Sequence, residues 1–230
     1  MPHVDFITAN HEATRREYLG RVNAHDKAMC AEIACQFGRD YWDGERQFGY
    51  GGYRYDGRWR PVAEAITKHY GLKAGDRILD VGCGKAFLLY EFTQAVPGVQ
   101  VNGIDISTYA IENAKEEVRP YLRVGSAVKL PFASNEFDFV FSINSLHNLH
   151  NYDLWRALKE IQRVGKERKL IVVESYRSER EKVNLLYWQL TCRAFHTPEE
   201  WQWLYAQAGC TCDFSFIFFE DALSDKGRLD

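Results

Sequence analysis

A glycine-containing turn carries the residues of this 230-residue sequence with the clearest potential for chemistry. Asp80 and Gly82 lie at the end of the apolar run RILDVG, which begins at Arg77, and Gly84 follows two residues later. Two glycines let the backbone approach a ligand closely, and a helix that begins after such a turn presents free N–H groups. The pattern predicts a ligand site at the carboxyl end of a buried strand.

The same turn is unsuited to a nicotinamide dinucleotide. The dinucleotide fingerprint requires a third glycine at position 87, where this sequence has Phe87. The aromatic side chain would crowd the place of the pyrophosphate, so we exclude NAD as the ligand of this turn.

Strands and helices alternate from Arg60 onward, which predicts an α/β fold with a doubly wound, mostly parallel sheet. The predicted strands are 77–82, 99–105, 121–126, 137–143, 169–175 and 212–219. The predicted helices are 61–70 (ended by Gly71), 85–96, 108–118 (capped by Ser107), 153–164, 178–195 and 198–208 (with a capping box at Thr197 and Glu200). Helix 178–195 is expected to be core, a substrate wall or a dimer face.

The first 59 residues have a different character. Residues 1 to about 40 show helical spacing, whereas residues 41–59 are rich in glycine and tyrosine. We therefore predict two units, an N-terminal segment over 1–59 and an α/β domain over 60–230.

The stretch ILDVGCGKAFLL resembles the first motif of the class I (Rossmann-like) S-adenosylmethionine-dependent methyltransferases, an acidic residue followed by GxGxG. Asp80, Gly82 and Gly84 match this motif, and Ala86 replaces its third glycine, which is expected to narrow the site slightly. Asp105, 25 residues after Asp80, matches the acidic ribose ligand of the family. The segment from Ser126 to Leu149 is similar to the third and fourth motifs, although position 126 is often an aspartate. The resemblance covers about residues 60–220.

This resemblance implies S-adenosyl-L-methionine as cofactor, S-adenosyl-L-homocysteine as product and a set of cofactor-binding residues. These are Asp80, Gly82, Cys83, Gly84, Asp105, Ile106, Ser126, Ala127 and Asn144. The antiparallel hairpin that usually closes the family's sheet is expected to be short or to lack its second strand, since ten residues follow CDFSFIFFE.

Methyl transfer requires alignment, exclusion of water and, for a hydroxyl or protonated amine, a general base. The loop after the fourth strand offers two histidines. We predict His147 as the base, against the alternative of a histidine that only stabilises its loop. We predict His150 as a substrate contact, against the alternative of a neighbour of a helix cap.

The segment 41–59 is predicted to be an aromatic lid over the acceptor, against the alternative of a rigid scaffold. Its substrate-side candidates are Tyr50, Tyr53, Tyr55 and Arg58, since phenol groups, ring faces and a guanidinium can hold a polar small molecule. Arg58 is alternatively expected to pair with Asp56 or Asp43.

Composition narrows the choice of partners. The net charge is −3, from 29 basic and 32 acidic residues, which disfavours nucleic acid as a partner. No apolar stretch is long enough to span a membrane, and no secretion signal is evident. None of the six cysteines forms a CxxC pair, so we expect reduced thiols and no metal site. We predict a cytoplasmic monomer or homodimer.

The sequence thus predicts methyl transfer to an oxygen or nitrogen atom of a small molecule by in-line displacement. Three alternatives stay open: a cofactor-binding but non-catalytic sensor or partner subunit, an aminopropyl transferase and an RNA-modifying enzyme. Binding without turnover would support the first, an acidic polyamine site the second, and salt-dependent RNA affinity the third.

Overall fold

The computed structural model describes residues 1–8, 11 and 16–220. Its centre is a six-stranded sheet with the order β3-β2-β1-β4-β5-β6, and every neighbouring pair of these strands is parallel. The strands are β1 Arg77–Val81, β2 Gln100–Asp105, β3 Leu122–Val124, β4 Phe137–Ile143, β5 Gly165–Glu174 and β6 Asp213–Ile217.

Helices cover both faces of this sheet and also form the N-terminal segment. The described helices are α1 Tyr18–Ala24, α2 Lys27–Ala34, α3 Arg39–Asp43, α4 Arg60–Tyr70, α5 Phe87–Ala95, α6 Thr108–Glu112, α7 Asn151–Val164, α8 Glu179–Trp188 and α9 Pro198–Gln207. Single 3₁₀ turns occupy Arg46–Phe48, Arg119–Tyr121 and Leu146–Asn148.

Two apolar cores hold the layers together because successive side chains of a strand point to opposite faces. Ile78 packs into one core with Phe92 of α5, and Leu79 packs into the other with Trp201 of α9. Both strand residues are fully buried. Burial of each large apolar side chain contributes about 1.5–3 kcal/mol, and burial on both faces explains why the strands are nearly continuous apolar runs.

The chain order brings the site together. After β1 the chain moves outward through β2 to β3, then returns to place β4 on the other side of β1. The carboxyl ends of β1, β2 and β4 therefore meet where the order reverses, which is where ligands bind in such sheets.

Several local predictions are confirmed in detail. Gly71 ends α4 in a left-handed conformation, with φ at +60°. Ser107 caps α6 by accepting a hydrogen bond from the N–H of Ala110. Thr197 and Glu200 form the predicted capping box of α9.

Two predicted helices are shorter than expected. Helix 108–118 ends at Glu112, and the N–H of Lys115 instead donates to the carbonyl of Lys85. Helix 178–195 ends at Trp188, because the chain beyond it bonds to the loop after β4. The N–H groups of Arg193 and Ala194 both donate to the carbonyl of His147.

The strand β6, where the closing hairpin is expected to begin, forms one edge of the described sheet. β6 pairs directly with β5, and the N-terminal residue His3 bridges its outer edge at Phe214. Residues 221–230, where the closing strand would follow, lie outside the described residues. Within the described ranges, no helix has the length and apolar character needed to cross a membrane.

Candidate functional site

A cavity of about 260 Å³ lies at the carboxyl ends of β1, β2 and β4; we refer to it as the first cavity. All nine residues predicted to bind the cofactor line it. They are Asp80, Gly82, Cys83, Gly84, Asp105, Ile106, Ser126, Ala127 and Asn144. The sequence thus identified residues that the fold brings together from the ends of four strands, β1, β2, β3 and β4.

The turn after β1 requires glycine at two positions. Gly82 has a φ of +89°, and a Cβ there would lie 2.0 Å from the Oγ of Ser145. Gly84 has a φ of +52°, and its Cβ would lie 2.7 Å from the ring of Trp42. Both positions combine a left-handed backbone with a close neighbour, so any side chain would distort the cavity floor.

Ala86 adopts the left-handed conformation that a third glycine would have, with φ at +57°. This conformation costs an L-residue about 1–2 kcal/mol. The side chain is buried in the core beneath the turn and does not line the first cavity. The expectation that Ala86 narrows the site is therefore wrong, because its methyl group points into the protein interior.

Two backbone N–H groups hold the carboxylate of Asp105 in place in the first cavity. Its Oδ2 accepts a hydrogen bond from the N–H of Gly84 at 2.7 Å, and its Oδ1 accepts one from the N–H of Ser107 at 2.8 Å. Burial raises the pKa of Asp105, and these two N–H groups oppose the shift. Each oxygen keeps lone pairs for a ligand, so the carboxylate is held ready to accept from two hydroxyls.

Asp80 lies beside Asp105 at the end of β1. Burial and the neighbouring carboxylate of Asp105 raise its pKa well above the usual range. Two carboxyl groups in one buried space favour a cationic ligand, because positive charge would lower the cost of ionising both of them. No lysine, arginine or histidine contributes to the described wall of the first cavity.

The predicted lid, residues 41–59, packs against the turn after β1; we refer to it as the aromatic segment. The ring of Trp42 lies over Gly84, and its Nε1 donates to the Oγ of Ser107 at 2.9 Å. Tyr50 stacks on Trp42 with 5.2 Å between ring centroids, and Tyr53 stacks on Phe87 at 5.0 Å. These rings form one wall of the first cavity.

An ion pair between Asp43 and the buried Lys85 holds the aromatic segment against the α/β domain. The Nζ of Lys85 lies 2.6 Å from the Oδ2 of Asp43, and only 4% of Lys85 is exposed. Tyr109 also donates its hydroxyl to Asp43 at 2.8 Å. Lys85 is buried while a quarter of the Asp43 side chain stays exposed, and together these contacts hold the segment to the domain.

A second cavity, of about 420 Å³, adjoins the first. Five residues line both: Tyr41, Tyr50, Tyr53, Trp59 and Asn144. The remaining wall of the second cavity includes N-terminal residues such as Ile7 and Arg21, further residues of the aromatic segment, the ends of β5 and β6, and the chain around Trp188. A molecule in one cavity would therefore lie beside a molecule in the other.

Asn144 occupies the junction with a strained backbone. Its φ is +56°, and its Oδ1 is buried with no hydrogen-bond partner among the described residues. An orphaned amide oxygen of this kind is costly unless a ligand satisfies it. The residue thus points to a ligand with a hydrogen-bond donor at the meeting point of the cavities.

Glu174 is the acidic group of the second cavity, and the sequence reasoning missed it. It ends β5 with 5% of its surface exposed, and burial raises its pKa to about 8. One carboxyl oxygen, Oε1, accepts from the side chain of Gln189, whereas Oε2 has no hydrogen-bond partner in the described part of the chain. A charged residue directly after an apolar strand, at the ligand edge of the sheet, is the signal that could have revealed it.

His147 also lines the second cavity, but both of its ring nitrogens face Glu174. Its Nδ1 accepts from the backbone N–H of Glu174 at 3.4 Å, which leaves the ring proton of the neutral form on Nε2. Nε2 lies 3.4 Å from the Oε2 of Glu174, without the alignment of a hydrogen bond. Burial lowers the pKa of His147 to about 3. This imidazole has no free nitrogen lone pair with which to take a proton.

The predicted substrate contacts divide into two groups. Tyr50, Tyr53 and Arg58 line the second cavity, and Arg58 also pairs with Asp56. Tyr55 and His150 line neither cavity.

Both outlying residues have other neighbours. Tyr55 donates its hydroxyl to Glu91 at 2.5 Å, and His150 stacks on Tyr152 with 5.8 Å between ring centroids. A direct substrate role for these two residues has no support in this geometry.

Comparison with known proteins gives a family match for part of the chain. Residues 79–173 match the family model described as a methyltransferase domain. A demethylmenaquinone methyltransferase of Lysinibacillus sphaericus (strain C3-41) is 34% identical over 118 residues, which are 49% of this chain and 50% of that protein. The chain spans about half the length of the curated relatives it matches.

Two solved structures share the fold. The YcgJ protein from Bacillus subtilis superposes with a TM-score of 0.54 at 24% identity, over 64% of this chain and 66% of that one. A geranyl diphosphate methyltransferase in complex with S-adenosylmethionine gives a TM-score of 0.54 at 19% identity, over 65% and 64%. These likenesses confirm the predicted α/β fold class.

Proposed function

We propose that this chain methylates an oxygen or nitrogen atom of a small molecule. The premise is that it carries a class I S-adenosylmethionine-dependent methyltransferase domain. One observation carries the proposal. An acidic cavity lined by the family's motif residues opens at Asn144 onto a second cavity that contains a carboxyl group of raised pKa.

The residues of the first cavity fit the cofactor. We assign the carboxylate of Asp105 to the two ribose hydroxyls, a charge-assisted pairing, and Asp80 to the cationic amino group of the methionine part. The orphaned Oδ1 of Asn144 would accept from a donor of that same part. When bound, S-adenosylmethionine supplies a methyl group on a positively charged sulfur, which is already a good leaving group.

Glu174 replaces His147 as our candidate for the general base. In the proposed step, a bond forms between the acceptor atom and the methyl carbon as the sulfur–carbon bond breaks and sulfur keeps the electron pair. The acceptor's proton passes to the carboxylate of Glu174. His147 is then a positioning residue, since its Nδ1 is bonded to the backbone of Glu174 and its ring lies against the carboxyl group.

The aromatic segment would exclude water from the junction. Tyr50 and Tyr53 line both cavities, and the pair between Asp43 and Lys85 holds the segment in place. Alignment and desolvation contribute on the order of 7–11 kcal/mol in favourable cases. We therefore propose that the segment acts as a lid, which needs no chemistry of its own.

The acceptor of this chain is not inferred from its relatives. The curated relative is named for demethylmenaquinone, but the matched family model ends at residue 173 and begins at residue 79. Glu174 and the aromatic segment, which form the acceptor side, lie outside that range. We therefore propose a small-molecule acceptor without naming it after the relatives.

The proposal is tested by binding followed by turnover. S-adenosylmethionine and NAD are titrated separately into the protein by calorimetry, and we expect micromolar binding of the former alone. The protein is then incubated with methyl-labelled S-adenosylmethionine and a fractionated small-molecule extract. A labelled small product supports methyl transfer. Binding with no product from any fraction would support a non-catalytic, cofactor-binding protein instead, and absence of binding would refute both.

A further inference from the structure

The second cavity has an unusual concentration of positive charge. Five arginines line it: Arg16, Arg21, Arg46, Arg54 and Arg58. Glu174 is the carboxyl group of its described wall, so a single carboxyl group there faces five guanidinium groups. Since the whole chain has a net charge of −3, this positive charge is a local property of the cavity.

Three of these guanidinium groups converge on one ring. The distances from the guanidinium carbon to the centroid of Trp188 are 5.4 Å for Arg16, 4.7 Å for Arg21 and 5.3 Å for Arg46. Stacking on tryptophan attracts each cation, but it also brings three like charges together. The charge of Arg46 contributes to lowering the pKa of both Arg16 and Arg21, after the larger effect of burial.

Backbone oxygens, rather than carboxylates, fix two of these arginines. Arg21 donates to the carbonyl of Gln47 at 3.2 Å, and Arg46 donates to the carbonyl of Gly49 at 2.6 Å. Within the described ranges, neither forms an ion pair with an acidic side chain. A guanidinium has five N–H donors, so each keeps donors for a further partner.

We propose that the second cavity binds an acceptor with an anionic oxygen group, a carboxylate or a phosphate, held by Arg21 and Arg46 beside Trp188. The inference rests on the proposed function and names the acceptor class for it. The hydroxyl or amine to be methylated would lie toward Asn144 and Glu174. Guanidinium groups suit this role because their paired N–H donors match the oxygen geometry of both anions.

The aromatic wall agrees with such an acceptor. Tyr41, Tyr50, Tyr53 and Trp59 lie between the arginine end and the first cavity, on the surface common to both. They would pack against the body of the acceptor while the arginines hold its charged end. The binding energy of that remote end would orient the reacting atom.

The test uses two anions as probes. Inorganic phosphate and malonate are titrated separately by calorimetry, at constant ionic strength, into protein saturated with S-adenosylhomocysteine. The variants are Arg21→Gln and Arg46→Gln, with Arg156→Gln as the matched control, because Arg156 lies on the exposed face of α7. Each protein is first titrated with S-adenosylhomocysteine, which verifies the folded state.

We expect at least one probe to bind the wild-type protein and the control, with about tenfold weaker binding in each cavity variant. Binding of phosphate alone would identify a phosphorylated acceptor, and binding of malonate alone a carboxylic acid. Absence of binding by both probes, or equal losses in the control, would overturn the inference. Failure to bind S-adenosylhomocysteine would instead count against the proposed function.

Discussion

The motif residues of the first cavity lie at the ends of four neighbouring strands, whereas the second cavity is built from segments far apart in the chain. The first contains Asp80 and Asp105 and suits a cation; the second is lined by five arginines and suits an anion. Asn144 belongs to both. The difference teaches that the proposed cofactor site follows from short motifs, whereas the proposed acceptor site depends on tertiary packing.

The largest effect expected from a substitution in the second cavity is on the rate of methyl transfer. Glu174→Gln removes the proposed base of the second cavity, so we expect methyl transfer to fall about 10²–10⁴-fold. Affinity for S-adenosylmethionine should change less than about twofold, since Glu174 does not line the first cavity. Rates with a labelled acceptor are compared with those of Glu199→Gln, an exposed control on α9. Undiminished turnover in Glu174→Gln would remove it from the chemistry.

A complementary substitution at Asp105, in the first cavity, should weaken cofactor binding. Asp105→Asn keeps an acceptor oxygen for only one of the N–H groups of Gly84 and Ser107, and it loses the negative charge. We expect about 10–100-fold weaker binding of S-adenosylmethionine, because a charged hydrogen bond contributes about 1.5–3 kcal/mol. Calorimetry on this variant and on Asp153→Asn, a control on α7, measures the loss. Equal affinity in the two variants would show that Asp105 does not hold the cofactor.

Stability against pH tests the burial of Glu174 without any acceptor. Its folded pKa, about 8, lies above the ordinary value of 4.5, so the stability it contributes is complete below pH 4.5 and is lost as pH rises toward 8. The charged or titratable neighbours are Arg16, Tyr41, Tyr50, His147 and Cys192.

We expect the free energy of unfolding of the wild-type protein to fall between pH 5 and 8 relative to Glu174→Gln. The limit is about 1.4 kcal/mol per pH unit. Denaturant unfolding at several pH values measures the difference, and Glu199→Gln should keep the wild-type slope. Parallel curves for wild type and Glu174→Gln would mean that Glu174 is ionised in the folded protein.

The smallest effect is expected outside both cavities. His150→Ala should change cofactor affinity and turnover by no more than about twofold, because its ring stacks on Tyr152 at the surface. Kinetic assays with saturating acceptor provide the measurement. A tenfold loss would extend the acceptor site to the start of α7 and weaken the contrast between the cavities.

Sequence reasoning predicted the first cavity better than the second for a physical reason. Asp80, Gly82 and Gly84 follow one strand and Asp105 follows the next, so parallel pairing alone brings them to one edge. Their side-chain types also fit the backbone, as the left-handed φ of Gly82 illustrates. Six strands and most helices followed from periodicity in the same way.

The second cavity depends on contacts that periodicity does not encode. Arg21 and Arg46 meet at Trp188 across more than 140 residues of chain, and helix 178–195 ends early where Arg193 bonds to His147. Its position in the loop after the fourth strand suggested His147 as the base, but only packing reveals that the lone pair of its Nδ1 is used. Glu174 was visible in the sequence as the end of a strand, yet its isolation from water was not.

The wall common to both cavities has a thermodynamic consequence. Tyr41, Tyr50, Tyr53, Trp59 and Asn144 contact whatever occupies either space, so the two ligands cannot bind independently if these side chains adjust. Linkage requires the coupling to be reciprocal. The factor by which S-adenosylhomocysteine changes the affinity for the acceptor equals the factor by which the acceptor changes the affinity for S-adenosylhomocysteine. Under the proposed function, these five side chains are where the affinities for the two ligands would be coupled.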